Sequence, residues 1–548
     1  MANDLENIEK LLARFKRQIP KGKQYQERLV EEFGLILDLR FTDYFLQICD
    51  IIDLTTDLTH MTRGSAGSSL VCYLLGITDV DPIKWKIPVA RFMNPFRDDL
   101  PDVDIDFEHW RQGEVMNRIF NKWPGMTARL SNYVTYKSKS ARREAAKRLG
   151  AAGRLPRGFT YESVGVDPTE AKRIERKLLG KKRAISKHCG GIVMFTRKLP
   201  KSLISEDNQI LLDKHEVEDL EHLKVDILAN RGLSQLLEID PHTALADYPE
   251  TDDRTSKLLS RGDVLGVTQG ESPAMRRLFR AIQPTSVYDC VFATAMVRPV
   301  AMSGRQKAAM FQDWSQEVIQ DSIVFEDDAI DIISNIIGVD MYEADMYRRA
   351  FAKKHDEKIL EFVERLGNNP RKADAMDALQ ELSGFGLCRA HAVNLGRLIW
   401  ALAYQKAHNP ENFWKANLKH CQGSYRAWVY QCEAHRRNIL TEPGWWHRGF
   451  PKGLGVQQKY LERVNFAGII ANGRTFRGKT GRYVTFLTLG TNFGEYVDVT
   501  VQRPFTYRDG DIVSGSGVVR HSNNSDYIHC TDVKLWTFSQ WRKQQYQD

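Results

Sequence analysis

Asp102, Asp104 and Asp106 alternate with Val103, Ile105 and Phe107 in the stretch that begins at Pro101. A β-strand turns successive side chains to opposite faces, so this spacing predicts one face of carboxylates and one face of apolar core residues. Like charges a few ångströms apart repel, and stacking them is costly unless a cation sits among them. Mg²⁺ takes oxygen ligands of this kind. Carboxylates at i and i+2 suit a two-metal phosphoryl-transfer site, where both ions are bracketed from one side. An edge strand with a solvated acidic face carries the same pattern. Asp226, set between Val225 and Ile227, is a further acid in an apolar strand and calls for a partner or a metal.

Several cationic or small-residue segments accompany these acids. The Gly/Ser-rich stretch Thr62–Ser69 precedes an apolar run from Leu70 to Ile77. Small residues admit close approach of a ligand, and exposed N–H groups ahead of a helix favour phosphate; an ordinary N-cap at Ser65 or Ser68 fits equally. Residues 126–185 are dense in cations, among them Arg142, Arg143, Lys147, Lys181 and Lys182. Such a segment neutralises the phosphates of a duplex, although a pair of solvated helices reads the same way. Arg474, Phe476, Arg477, Lys479 and Tyr483 mix cations with aromatics, which suits single-stranded nucleic acid, or else the polar rim of a barrel. His420, Cys421, Cys432 and His435 have types that bind zinc; an amphipathic helix through Trp428–Tyr430 accounts for part of them.

A chain of 548 residues implies several domains. Its net charge of +8 permits a polyanionic partner without demanding one. Eight scattered cysteines without a CxxC pair point to a reducing compartment. The N-terminus lacks a basic-then-apolar leader, and no run of about 18 apolar residues predicts a membrane span. Apolar periodicity predicts helices over residues 4–20 and 26–54, strands at 192–195, 210–212 and 223–228, and mostly helix through 233–440. A Gly-, Pro- and Trp-rich linker follows at 441–460. Five short strands between 464 and 536 then predict a small barrel such as an OB-fold.

Taken in order, these segments resemble the bacterial C-family DNA polymerases, the group of the DNA polymerase III alpha subunit. Arg63-Gly-Ser-Ala-Gly-Ser-Ser69 is similar to the family's Gly-Arg-Gly-Ser-Ala-Ala-Gly-Ser loop, and Gly76-Ile-Thr-Asp-Val-Asp-Pro82 and Arg91-Phe-Met-Asn-Pro95 match as well. His188-Cys-Gly-Gly191, Lys224-Val-Asp226, Gly266-Val-Thr-Gln-Gly-Glu-Ser272, Arg348-Arg-Ala-Phe-Ala-Lys-Lys354 and Arg389-Ala-His391 follow in the family's sequence of motifs. The resemblance implies an α+β multidomain chain. Its parts would be a DNA polymerase beta-like nucleotidyltransferase palm (1–125 and 186–232), a thumb (126–185), fingers (233–440), a linker or reduced helix-hairpin-helix region (441–463) and an OB-fold (464–548). It assigns Asp102, Asp104 and Asp226 as catalytic ligands of two Mg²⁺ ions, with Mn²⁺ as a substitute, and puts Asp106 behind them. It assigns Gly64, Ser65, Lys224, Arg298, Arg348, Arg349, Lys353, Arg389 and His391 to the incoming deoxynucleoside triphosphate. Departures from the pattern are Thr62 for glycine, Arg298-Pro-Val-Ala301 for Arg-Pro-Gly-Pro, and Asn230 for an apolar residue.

The implied activity is template-directed extension of a primer 3′-hydroxyl. The alternatives are a catalytically weak relative that binds DNA as an accessory protein, and another kind of nucleotidyltransferase. Against the family pattern the chain reads as a minimal core without the polymerase-and-histidinol-phosphatase domain and without a proofreading signature. The implied partners are primer–template DNA, a sliding clamp, for which Gln458-Lys-Tyr-Leu461 is a candidate contact, and a separate exonuclease. The implied setting is the bacterial cytoplasm, of an infected host if the chain is virus-encoded.

Overall fold

Val103, Ile105 and Phe107 are fully buried, and they carry the strand on which the acids sit into the middle of a sheet. The computed structural model describes residues 2–545 except 98–99, 157, 196, 213–215, 218–221, 299–322, 371, 381–385, 421–422, 440–443, 445–449, 461, 478–480, 493, 505, 509 and 523–524. The first sheet comprises β1 (Met61–Arg63), β2 (Val103–Glu108), β3 (Thr127–Thr135), β4 (Lys182–Phe195) and β5 (His222–Asn230), in the order β1-β2-β5-β4-β3. β2 and β5 are parallel and every other neighbour is antiparallel. Helices α1 (Ala2–Leu12), α2 (Lys23–Asp38), α3 (Thr42–Asp53), α4 (Leu70–Leu74) and α5 (Gln112–Lys122) contribute to the core beneath it. A parallel pair needs a long crossover. Here the crossover includes α6 (Ser138–Arg148) and α7 (Pro168–Leu178), which pack on small cores of their own.

The helical region that follows runs through α8 (Arg231–Ile239), α9 (Asp253–Ser260), α10 (Pro273–Ile282), α11 (Val287–Met296), α12 (Asp328–Ile337), α13 (Met341–Lys353), α14 (Asp356–Leu366), α15 (Lys372–Gln380), α16 (Arg389–His408), α17 (Pro410–His420) and α18 (Ala427–Arg436). α16 is its axis. It is apolar on most sides, so neighbours surround it rather than line one face, and Leu398 to Ala403 are all buried.

The second sheet holds β6 (Gly455–Tyr460), β7 (Arg463–Arg477), β8 (Tyr483–Asn492), β9 (Glu495–Val501), β10 (Ile512–Ser522), β11 (Ser525–Cys530) and β12 (Val533–Trp536), followed by α19 (Phe538–Gln545). Its order is β12-β10-β11-β9-β8-β7-β6, and an additional β10–β7 pairing closes five strands into a ring. Ala467, Ile469, Ala471 and Ile512 of this ring share one core with Trp428, Val429 and Tyr430 of the helical region.

The expected boundaries shift in five places. The helix expected over 4–20 ends at Leu12, and residues 26–54 break into α2 and α3 with Arg40 at a positive φ of 58° between them. Residues 210–212 form no strand, only a bridge between Ile204 and Ile210. β6 forms inside the stretch read as linker, and β12 adds an edge to the five expected strands. Among the described residues no helix is long and apolar enough to cross a membrane.

Candidate active site

The ladder between β2 and β5 pairs Asp104 directly with Asp226. Asp102 stands just ahead of β2 and is exposed. Two acids from neighbouring strands thus share a face, and a third lies one strand repeat away. Lys224, two residues before Asp226 and on the same face, puts its Nζ 3.1 Å from Asp102 Oδ1 and 3.4 Å from Asp226 Oδ2. Burial opposes the lysine's charge, but Asp102 and Asp226 outweigh it and raise its pKa above the ordinary value. Burial, Asp226 and Asp102, in that order, push the Asp104 carboxyl up to about 7. Asp226 Oδ1 is buried without a hydrogen bond among the described residues.

Two glycines let β4 approach this centre. A Cβ on Gly191 would stand 3.0 Å from Asp226 Oδ1, and one on Gly190 would stand 2.6 Å from the Ile227 carbonyl oxygen. His188 Nδ1 lies 3.6 Å from Asp226 Oδ1. It accepts the Gly191 N–H at 2.6 Å, so its lone pair is engaged and any single ring proton is on Nε2. Gly64 crosses the site at a positive φ of 69°, and a Cβ there would meet Asp104 Oδ2 at 3.2 Å. Its carbonyl accepts the Cys388 thiol at 3.0 Å.

Asp106 is set apart from its neighbours on the same face. It is 1% exposed, 2.6 Å from the Arg63 guanidinium, and accepts from Asn230 Nδ2 at 2.8 Å. Asn230 Oδ1 accepts the Leu233 N–H and caps α8. The polar residue at 230 therefore joins the acidic strand to the helical region instead of disturbing the packing. Thr62 is likewise accommodated: its hydroxyl lies 2.7 Å from that of Thr78, and its carbonyl accepts Asn394 Nδ2 at 2.6 Å.

The Gly/Ser loop departs from expectation. The N-cap of α4 is Ser69, not Ser65 or Ser68. The free donors at this helix start are taken by a fully buried carboxylate, Glu32, which accepts from Ser69 Oγ, Leu70 N and Val71 N at 2.7, 2.7 and 3.0 Å. Arg28 holds Glu32 there at 2.7 Å. Gly64 and Ser65 lie ahead of this capped helix start.

The cationic residues expected at the nucleotide divide into two sets. Burial, with the charges of Arg63 and Arg298, depresses the His391 pKa to about 4. Arg349 is half-buried and Lys353 exposed on α13. Arg348, 3% exposed, instead donates to Asp345 at 2.6 Å and lies 3.5 Å from Glu326. Arg389 pairs with Asp328 and donates to the Lys86 carbonyl at 2.9 Å. Arg91 meets Glu326 at 2.8 Å. This acid–arginine network was not anticipated; the run Glu326-Asp327-Asp328 is its signal in the sequence.

Away from this centre, Arg142 donates to the Phe159 carbonyl at 2.6 Å and lies over the Phe159 and Tyr161 rings. Arg143, Lys147, Arg154 and Arg183 join it around an open cavity of about 900 Å³. Lys181 is exposed, and Lys182 Nζ sits 3.2 Å from the Tyr133 ring centroid. On the ring, Arg474 lies over exposed Phe476, which packs edge-on against exposed Phe486. Phe486 escaped sequence reading because the platform is made across the β7–β8 ladder, where it pairs with Arg474. Arg477 covers Tyr483. Lys479, Cys421, Leu461 and residues 299–301 lie outside the described residues. Of the zinc candidates, Cys432 is buried on α18, and His420 lies 3.3 Å from Glu238. Among the described residues no three His, Cys, Asp or Glu side chains are gathered tightly enough to hold a metal ion.

Two family models match this chain: the bacterial DNA polymerase III alpha NTPase domain over residues 5–229, and the bacterial DNA polymerase III alpha subunit finger domain over residues 233–373. Similar curated proteins include the error-prone DNA polymerase of Saccharophagus degradans, 28% identical over 77% of this chain and 48% of that protein. They also include the DNA polymerase III subunit alpha of Staphylococcus epidermidis, 28% identical over 84% and 49%, and that of Bacillus subtilis, 30% identical over 71% and 40%. The chain spans about half the length, or less, of the curated relatives it matches. Its ordered motifs, the acids paired across β2 and β5, and these matches make the chain a member of the bacterial C-family DNA polymerases, the family of the DNA polymerase III alpha subunit.

Proposed function

We propose that the chain is a template-directed DNA polymerase that extends a primer 3′-hydroxyl with deoxynucleoside triphosphates by two-metal-ion nucleotidyl transfer. The observation that carries the reading is the register of Asp104 against Asp226 on adjacent parallel strands, with Asp102 beside them. The three carboxylates are not drawn together tightly enough for a metal ion as they stand, but their chemistry suits a divalent cation: Asp226 Oδ1 is an orphaned buried oxygen, and burial, Asp226 and Asp102 raise the Asp104 pKa to about 7. Asp102 and Asp104 would hold both Mg²⁺ ions, or Mn²⁺ in their place, and Asp226 one of them. Bound there, such ions supply Lewis acidity and an activated hydroxyl.

The protein's own groups hold and orient the reactants. The 3′-oxygen attacks the α-phosphorus, the bond to the β-phosphate oxygen breaks, pyrophosphate leaves and the hydroxyl proton is lost. Gly64 and Ser65 meet the triphosphate at the edge of β1, where the missing Cβ allows close approach to Asp104. Lys224, Arg298, Arg349, Lys353 and His391 are the proposed phosphate contacts. Arg348 and Arg389 contribute when their acidic partners yield, and in the described pairing they orient α13 and α16. The β1–β5 sheet is read as a nucleotidyltransferase palm, which takes β3 and the start of β4 out of the expected 126–185 thumb and leaves the α6–α7 insert as a thumb on the duplex, and 233–440 is read as fingers. The β7-β8-β9-β11-β10 ring is read as an OB-fold for single-stranded template. A clamp and a separate exonuclease are proposed partners, and the bacterial cytoplasm the proposed setting.

The test is single-nucleotide addition on four primer–templates that differ at the templating base. Addition of only the complementary nucleotide is expected. Addition regardless of template would favour an untemplated transferase, and tight binding without addition an accessory role.

A further inference from the structure

Strand alternation continues the catalytic face beyond the carboxylates, through Asp106 and Glu108 on β2 and Leu228 and Asn230 on β5. At its far end is a cavity of about 350 Å³ lined by Arg63, His109, Asn230, Arg231, Thr268 and Gln269. This size falls at the lower end of the roughly 300–1,000 Å³ of small-ligand sites. From Asp226 to Asn230 the strand advances about 13 Å. A reacting α-phosphate must lie at the carboxylates, and apart from Arg63, which pairs with Asp104 across β1 and β2, the lining stands beyond them along the sheet.

The charge of the cavity suits one phosphodiester rather than a triphosphate. Arg63 is neutralised by Asp106. Arg231 donates at 3.2 Å to the His420 carbonyl, a neutral acceptor that leaves its charge in place. Nearby, Glu238 is already matched by Lys419, at 2.9 Å, and His420. Thr268 is satisfied by Gln235 at 2.7 Å, and Gln269 is held at a positive φ of 71°, uncommon for a residue with a side chain.

An aromatic residue stands next to the lining residue His109. Trp110, 45% exposed, follows directly on the acidic strand; its ring centroid is 4.6 Å from that of His420 and 5.2 Å from that of His109. A half-exposed indole with a cation near it, here Lys419 Nζ at 5.8 Å from the ring centroid, is the pairing that holds unstacked bases while their phosphates are tracked. Nothing in the chemistry of the carboxylates requires it.

We propose that this cavity receives the first unpaired template nucleotide, its base stacked on Trp110 and its phosphate met by Arg231. The inference rests on the polymerase reading above and adds a template site to it. The test compares binding of a blunt duplex with that of a primer–template bearing a six-nucleotide 5′ overhang, with 2-aminopurine at the first unpaired position as a reporter. Wild type is expected to bind the overhang substrate more tightly and to alter the 2-aminopurine emission. Trp110→Ala and Arg231→Ala are each expected to lose about 5- to 20-fold of the overhang advantage with blunt-duplex affinity unchanged. Trp110→Phe is expected to restore most of it. Trp110→Ala with the full overhang preference would overturn the proposal, as would wild type without any. Templated addition by wild type in the same samples separates failure of this site from failure of the polymerase reading.

Discussion

Three acids on one strand face meet three different fates, decided by what faces them. Asp102 is open to solvent, Asp104 is half-buried and crowded by carboxylates, and Asp106 is paired with Arg63 and accepts a hydrogen bond from Asn230. Spacing alone made all three legible as a set and could not sort them, because the sorting residues are 43 and 124 positions away. Asp104 and Asp106 should therefore respond differently to loss of charge. Asp106→Asn is expected to leave nucleotide addition nearly intact and to lower stability by about 1–3 kcal/mol, from the loss of a charge-assisted contact; chemical denaturation beside an extension assay would show it. A pH dependence follows for Asp104. Its pKa is raised to about 7 in the fold, against about 3.9 when unfolded. Between those values the folded state holds the extra proton, so stability falls as pH rises from about 4 to about 7. In metal-free protein, Asp104→Asn should remove this component: the melting temperature of wild type, relative to the variant, should drop from pH 5 to pH 7.5. A constant difference would mean that Asp104 is ionised normally.

At the scale of elements, periodicity located the acidic strand, the helical region and five ring strands, because each has a local apolar pattern. It missed β6 and β12, which are short and stabilised by pairing to β7 and β10 rather than by their own composition. It also put the cap of the Gly/Ser loop at Ser65 or Ser68, where the structure has Ser69. A helix start favours an anion, but that anion is Glu32, a residue of α2 whose burial no local pattern signals. Glu32→Gln removes a charged acceptor from three donors at once. It is expected to destabilise the protein by about 2–4 kcal/mol, visible as a lower denaturation midpoint. An unchanged midpoint would mean that α4 does not depend on this cap.

On the scale of the whole molecule, the β7-β8-β9-β11-β10 ring is tied to the helical region. They share a core, and Arg277 reaches Asp498 across the junction at 2.8 Å. Sequence reading treated 464–548 as a separable module because its strand pattern starts abruptly. The shared core depends on contacts between distant segments and leaves no local mark. Deleting the ring would expose Trp428 and its neighbours, so point substitutions on its exposed platform are the cleaner probe. Phe476→Ala and Phe486→Ala are each expected to weaken binding of an oligothymidine by about 1 kcal/mol or more without changing its salt dependence. Arg474→Ala should instead flatten the salt dependence. An unchanged affinity in both aromatic variants would move single-strand binding off this face.

The central claim is that the carboxylates of β2 and β5 perform the transfer. Its most direct measurement is the single-turnover rate of nucleotide addition by Asp104→Ala beside wild type, with primer–template affinity measured on the same preparations. The account predicts a rate lower by about a thousandfold or more with affinity changed no more than about threefold, since removing an acid does not weaken the grip on phosphates. A variant that adds nucleotides at the wild-type rate would contradict it.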